Sequence, residues 1–171
     1  MNPIYQRTVS ARALRAVYGA LVLGSIFQTA RVDAQTAVNW FTTSNGNWGT
    51  AGSWGTGSGP APADSLTTNY ASFNKTTGVT VTLDTTQSVA GLYFGSSAGS
   101  YTLSRKGGQG KTLTLGAYGI QSDSANNQQL ITDSKLTLAL GAASQFLVNG
   151  SGGLTISSTA GSGSIATTGT N

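Results

Sequence analysis

Beyond residue 78 the chain alternates apolar and polar side chains with a period of two. Val79, Val81 and Leu83 are separated by Thr80 and Thr82, and the same pattern returns in Leu92/Phe94, Tyr101/Leu103, Leu113/Leu115, Leu136/Leu138/Leu140, Phe146/Val148 and Leu154/Ile156. That period puts apolar side chains on one face of a strand and hydroxyls on the other, so the pattern predicts a series of short β-strands. No stretch repeats apolar residues at helical spacing over three turns. The strands are broken at Gly95–Gly99, Gly107–Gly110, Asp123–Asn127 and Asn149–Gly153. These segments are rich in Gly, Ser and Asn, and Gly and Asn tolerate the positive φ of tight corners.

The centres of four successive strands, Val81, Leu92, Leu103 and Leu113, lie 11, 11 and 10 residues apart. Such regular spacing suits either an antiparallel β-sandwich or a solenoid. Self-similarity among Thr112–Gly116, Leu136–Gly141 and Gly153–Ser157 favours a parallel β-helix. Its repeats at Leu113, Leu136 and Leu154 are 23 and 18 residues apart, close to one coil, and stacking would superpose leucines inside and threonines outside. The fold class expected is all-β, a parallel β-helix or solenoid, with the antiparallel sandwich as the alternative.

Residues 35–78 differ in composition. All three tryptophans, Trp40, Trp48 and Trp54, fall there beside Asn and Gly, ahead of a Gly-Pro loop over 57–64. A first coil has no neighbour on one side and needs its open core covered, which a bulky aromatic cap does. Indoles can also stack on sugar rings. Trp40, Trp48 and Trp54 are therefore both cap residues and candidate glycan-stacking residues. The domain organisation expected is residues 1–34 a signal peptide, 35–78 a tryptophan-rich cap with the first strands, and 79–171 a strand-repeat solenoid truncated at its C-terminus.

The signal peptide is read from the basic residues Arg7, Arg12 and Arg15, the apolar stretch Ala16–Phe27 and the small-residue pattern Val32-Asp33-Ala34. The apolar stretch is shorter than the ~20 residues a membrane-spanning helix needs. Cleavage after Ala34 would leave 137 of the 171 residues, starting at Gln35. An extracytoplasmic location, secreted or at the outer cell surface, follows, with no transmembrane segment expected in the mature chain.

Cleavage changes the meaning of the net charge of +4. The mature chain keeps Lys75, Arg105, Lys106, Lys111 and Lys135 against Asp64, Asp84, Asp123 and Asp133, five against four, or +1. A nucleic-acid footprint needs basic residues clustered on one face, and the group Arg105, Lys106 and Lys111 surrounds a glycine turn. No nucleic-acid partner is expected.

Catalytic and metal chemistry is thin. The sequence contains no His, Cys or Glu, so no catalytic residue, cofactor or metal site is expected, and the chain reads as no enzyme. Gly110-Lys111-Thr112 resembles the end of a phosphate-binding loop, yet Arg105 stands where that pattern needs glycine, and a strand rather than a helix follows. The same segment lacks the aspartate that a calcium-binding β-helix repeat requires at the position of Thr112.

One resemblance is specific enough to name a family. Asn47-Trp48 through Ser53-Trp54, Pro62-Ala63-Asp64 through Phe73, Val79–Asp84, Val89–Phe94, Tyr101–Leu103 and Leu113–Gly116 through Gly119-Ile120 follow one another in an order that resembles proteins with autotransporter-associated β-strand repeats. The likeness spans about residues 39–157. It implies a bacterial extracytoplasmic passenger built as a right-handed parallel β-helix, and its motif carries no catalytic residues. Where the family pattern leads on to an outer-membrane barrel or anchor, this sequence stops at Asn171, and the expected solenoid is read as truncated there. The function expected is a secreted or surface-displayed structural module for adhesion or extracellular matrix assembly. The alternative is a carbohydrate-binding module that uses the tryptophans. Cell-surface glycans or matrix are the expected partners, together with edge-to-edge self-association through the uncapped C-terminal end.

Overall fold

The computed structural model describes residues 35–132, 135–141, 144–158 and 164–167. The expected signal peptide, residues 1–34, and Asp133 lie outside them. Among these residues twelve strands follow one another: β1 Thr36–Asn39, β2 Gly46–Asn47, β3 Asn69–Phe73, β4 Thr80–Leu83, β5 Gln87–Phe94, β6 Thr102–Arg105, β7 Lys111–Ser122, β8 Gln128–Thr132, β9 Leu136–Leu140, β10 Phe146–Val148, β11 Leu154–Ser158 and β12 Ser164–Thr167. Among the described residues, the helical element is a single 3-10 turn at Ala51–Ser53. The described part of the protein is all-β.

From β1 to β9 successive strands go to two sheets in turn; β10 then joins the first, β11 the second and β12 the first. One runs β1-β3-β5-β7-β9-β12, with β10 also on β7, and the other runs β11-β8-β6-β4-β2. All ten pairings of these strands among the described residues are parallel. The antiparallel sandwich held open by the sequence is therefore not what forms. A parallel neighbour cannot follow through a tight hairpin, and here the chain visits the opposite sheet before it returns. That is the physical meaning of the 11-residue spacing: Val81 and Leu103, two steps apart, are register partners, while Leu92 between them belongs to the other sheet.

Register builds continuous columns. Val81, Leu103, Leu130 and Ile156 are successive partners in one sheet, and the first three are buried. In the other sheet Ala71, Leu92 and Ile120 are successive partners and fully buried. The alternate residues Thr80, Thr82 and Thr102 sit half-buried, as a period of two requires. Each fully buried Val, Leu or Ile contributes about 1.5–3 kcal/mol over leaving it in water. A slip of one residue would expel the whole column, so the alternation itself holds the register.

Three expectations need correction. Leu113 is the partner of Leu138, not Leu136, which lies beside Lys111; the shift by two preserves the inward face. Leu154 belongs to the other sheet, where it pairs with Gln128. The Phe146/Val148 alternation is also not expressed as burial, for Phe146, Leu147 and Val148 are 45%, 47% and 45% exposed. Strand β10 pairs only with β7 among the named strands, which leaves it at an edge.

At the opposite end, Trp40 follows β1 and Trp48 follows β2, the outer strands of the two sheets. Trp54 packs edge-on against both, with ring centroids 5.0 Å away in each case. Phe73 joins this group to Phe94, its register partner and stacking neighbour at 5.1 Å, and to Tyr101 at 5.1 Å. The corners are braced by buried polar groups. Gln128 accepts from the Tyr101 N–H (2.9 Å) and donates to the carbonyls of Gly99 (3.0 Å) and Asn126 (2.8 Å), while Ser124 Oγ donates to the Ala98 carbonyl (2.7 Å). A buried amide satisfied on both sides costs little and fixes one geometry.

Candidate functional site

The three tryptophans that the sequence offers as glycan-stacking residues are 1%, 0% and 0% exposed at Trp40, Trp48 and Trp54. A sugar needs a free ring face, and none of these indoles presents one. Glycan stacking by them is therefore corrected to packing. Trp54 Nε1 donates to the Trp48 carbonyl at 2.6 Å, whereas Trp40 Nε1 and Trp48 Nε1 are buried without a hydrogen-bond partner. Each unmade bond costs about 1–3 kcal/mol, which the aromatic packing of the cluster has to outweigh.

The surface that does bring chemistry together is one that sequence reasoning missed. Tyr70 on β3, Tyr93 on β5 and Tyr118 on β7 meet on one face, all half-buried. The rings of Tyr70 and Tyr118 stack at 4.6 Å, 5° from parallel, and Tyr70 meets Tyr93 edge-on at 6.2 Å. The local sequence explains the arrangement. Tyr70 pairs with Gly91 and Gly91 with Gly119, so the positions beside Tyr70 in the column carry no side chain. Between the paired stretches, β5 has only Ala90 where β7 has Gly116, Ala117 and Tyr118. This bulge swings Tyr118 over Gly91, where a Cβ would come within 2.7 Å of Tyr118 Cδ1.

Asp123 closes the site. It accepts from Tyr93 Oη at 3.0 Å, from Gln121 Nε2 at 3.1 Å to each oxygen and from Asn149 Nδ2 at 2.8 Å. These bonds, that of Asn149 foremost and then that of Gln121, hold its carboxyl below the usual range. Burial first, then the hydrogen bond to Asp123, raises the Tyr93 phenol. Burial pushes Tyr118 up to about 12, helped by the neighbouring Tyr70, Tyr93 and Asp123, and it pushes the core Tyr101 up to about 12 as well.

A pH dependence follows. A phenol whose folded pKa lies above its unfolded value of 10.0 stabilises the fold fully below that value. Its contribution is lost as pH rises through about 12. The melting temperature is expected to fall across that alkaline interval, with phenolate absorbance lagging behind that of free tyrosine. Asp123 acts in the opposite sense: its contribution is present above the ordinary carboxylate range and lost as pH falls through its depressed value. Phenolate absorbance that titrates fully at the free-tyrosine value would contradict the burial of Tyr101 and Tyr118.

The other described aspartates hold backbone. Asp64 Oδ1 accepts the Ser88 N–H at 2.6 Å, and Asp84 Oδ1 accepts the Gly49 N–H at 2.9 Å, each clamping two distant segments. Among the described residues no group of three or more His, Cys, Asp or Glu gathers closely enough to hold a metal ion, and no helix is long and apolar enough to cross a membrane. Lys111 opens strand β7, so its Gly-Lys-Thr sequence lacks the helix a phosphate-binding loop needs.

Compared with known proteins, the chain matches no family model, no curated protein and no solved structure.

Proposed function

We propose that the chain is a structural module displayed outside the cell, a right-handed parallel β-helix like those of autotransporter-associated β-strand repeat proteins, serving adhesion or extracellular matrix assembly. The observation that carries this reading is the all-parallel pairing of strands that alternate between two sheets, with inward columns such as Val81–Leu103–Leu130 and half-buried threonines beside them. Parallel crossovers are right-handed in nearly all proteins, which supports the hand. Residues 35–78 act as the cap, consistent with the buried indoles beside the outer strands β1 and β2. Edge-to-edge self-association belongs to the same reading, supported by the three adjacent exposed apolar side chains Phe146, Leu147 and Val148 on β10.

Export is the testable core of this proposal. Residues 1–34 would direct it, with cleavage near Ala34. In a culture producing the full chain, the protein is expected in the extracytoplasmic fraction, and mass spectrometry should find Gln35 at its N-terminus. A product that stays in the cytoplasm and begins with Met1 would overturn the reading.

A further inference from the structure

One concave surface is not explained by strand packing. An open cleft of about 340 Å³ is lined by Phe41, Thr42, Thr43, Gly52, Gly57 and Lys75. Although Trp40 is buried, its neighbour Phe41 is 41% exposed. The Lys75 ammonium lies 4.9 Å from the centre of the Phe41 ring. Among the described residues no carboxylate pairs with that ammonium.

The walls are held in place by backbone bonds. The Phe41 N–H donates to the Ser53 carbonyl at 2.7 Å, and the Lys75 carbonyl accepts from the Gly99 N–H at 2.9 Å and from Tyr101 Oη at 3.4 Å. Gly57, at φ 96°, lets the Phe41 ring lie against the main chain, since a Cβ there would stand 2.6 Å from the ring. The lining thus combines a partly exposed aromatic side chain, a cation over its ring with no carboxylate partner among the described residues, two threonines and two glycines. The size is within the roughly 300–1,000 Å³ typical of small-ligand pockets.

We propose that this cleft binds an acidic sugar, a hexuronate unit of a polysaccharide. Its carboxylate meets the Lys75 ammonium, and the C–H groups of the pyranose ring pack on the part of Phe41 that the ammonium and Gly57 leave exposed. Its hydroxyls reach Thr42 and Thr43. A neutral sugar would use the ring but leave the charge unanswered, and an acidic peptide would supply charge without a flat C–H face. The proposal shares with the structural reading only the expectation that such polymers are met outside the cell. Binding by purified protein does not depend on export, so the two can fail separately.

The test is calorimetric titration of the full chain with oligogalacturonate, a neutral xylo-oligosaccharide of equal length and polyglutamate. Oligogalacturonate is expected to bind, with affinity falling as salt rises. Lys75→Met, which keeps the aliphatic packing, is expected to weaken binding about tenfold or more, the scale of one hydrogen bond to a charged group. Lys75→Arg should restore most of the loss. Phe41→Ala should weaken binding comparably, with circular dichroism showing each variant folded at the temperature of the titration. The proposal is overturned by absent binding, by equal binding of the neutral oligosaccharide or of polyglutamate, or by Lys75→Met binding as well as the unaltered chain.

Discussion

Replacing Phe73 by alanine is expected to destabilise the protein by about 3–5 kcal/mol, the range for removing a buried phenylalanine. The ring is fully buried and lies between two groups that otherwise do not share a ring contact. On one side are Trp40, Trp48 and Trp54, with centroids 6.3, 6.5 and 6.0 Å away. On the other are Phe94 and Tyr101, each at 5.1 Å. Its loss leaves a cavity among five rigid rings, and rings have fewer ways than leucines to collapse into a void. The cost should therefore sit toward the upper end of that range, a drop of roughly 10 °C or more in melting temperature. Phe73→Leu keeps much of the volume and should recover most of the loss. Tryptophan fluorescence gives a second readout, because the buried indoles should shift to the red as water enters. An alanine variant that melts within a degree or two of the unaltered chain would show that the aromatic cluster does not hold the β1/β2 end together.

The strand positions of β4 to β7 and of β9 are written in the chain because a period of two is a local property, whereas β8, Gln128–Thr132, carries no such alternation and the pattern passed over it. Val81 and Leu83 alternate with threonine whatever else the chain does, and their burial follows directly. The spacing of strand centres also carried the return of the chain to the same sheet, since Val81 and Leu103 do pair. Register is a different matter. Leu113 beside Leu136 and Leu113 beside Leu138 both keep leucine inward, so the pattern alone permits either, and packing selects the second.

The tryptophans show the reverse difficulty. Their Asn and Gly neighbours are compatible with a cap and with a sugar platform, and only the packing of both sheets around the indoles separates the two. The tyrosine site was hidden for a stronger reason. Tyr70, Tyr93 and Tyr118 lie in three different strands, and Tyr118 reaches Tyr70 only because β7 carries extra residues opposite Ala90. The signal available in the sequence was the pair Gly91 and Gly119, glycines inside strands, which mark bulges or close approach. Phe41 and Lys75 were similarly invisible as a pair, since one follows β1 and the other follows β3.

That bulge is the basis of the second large effect, a difference between two glycines of similar backbone conformation. Gly107 and Gly119 have φ of 75° and 66°, both in the left-handed region where an L side chain costs about 1–2 kcal/mol. At Gly107 nothing lies within 4 Å of the position a Cβ would take, so Gly107→Ala is expected to cost that amount and no more. At Gly119 the Cβ would overlap the main chain of Gln145. Backbone cannot rotate away as a side chain can, and the same carbonyl accepts the Ile120 N–H at 2.7 Å. Relief of the overlap must part β7 from the segment leading into β10 and break that bond. Gly119→Ala is therefore expected to cost more than about 4 kcal/mol, which a single substitution exceeds only through a definite mechanism. A spectroscopic consequence accompanies it. As the bulge shifts, Tyr118 should leave Tyr70 and Gly91, and its phenol should titrate closer to the ordinary 10.0 than to about 12. Denaturant melts of the two variants, with phenolate titrations alongside, test both halves; equal costs at the two positions, or an unmoved Tyr118 titration in the Gly119 variant, would mean that the close approach of Gln145 does not set the bulge.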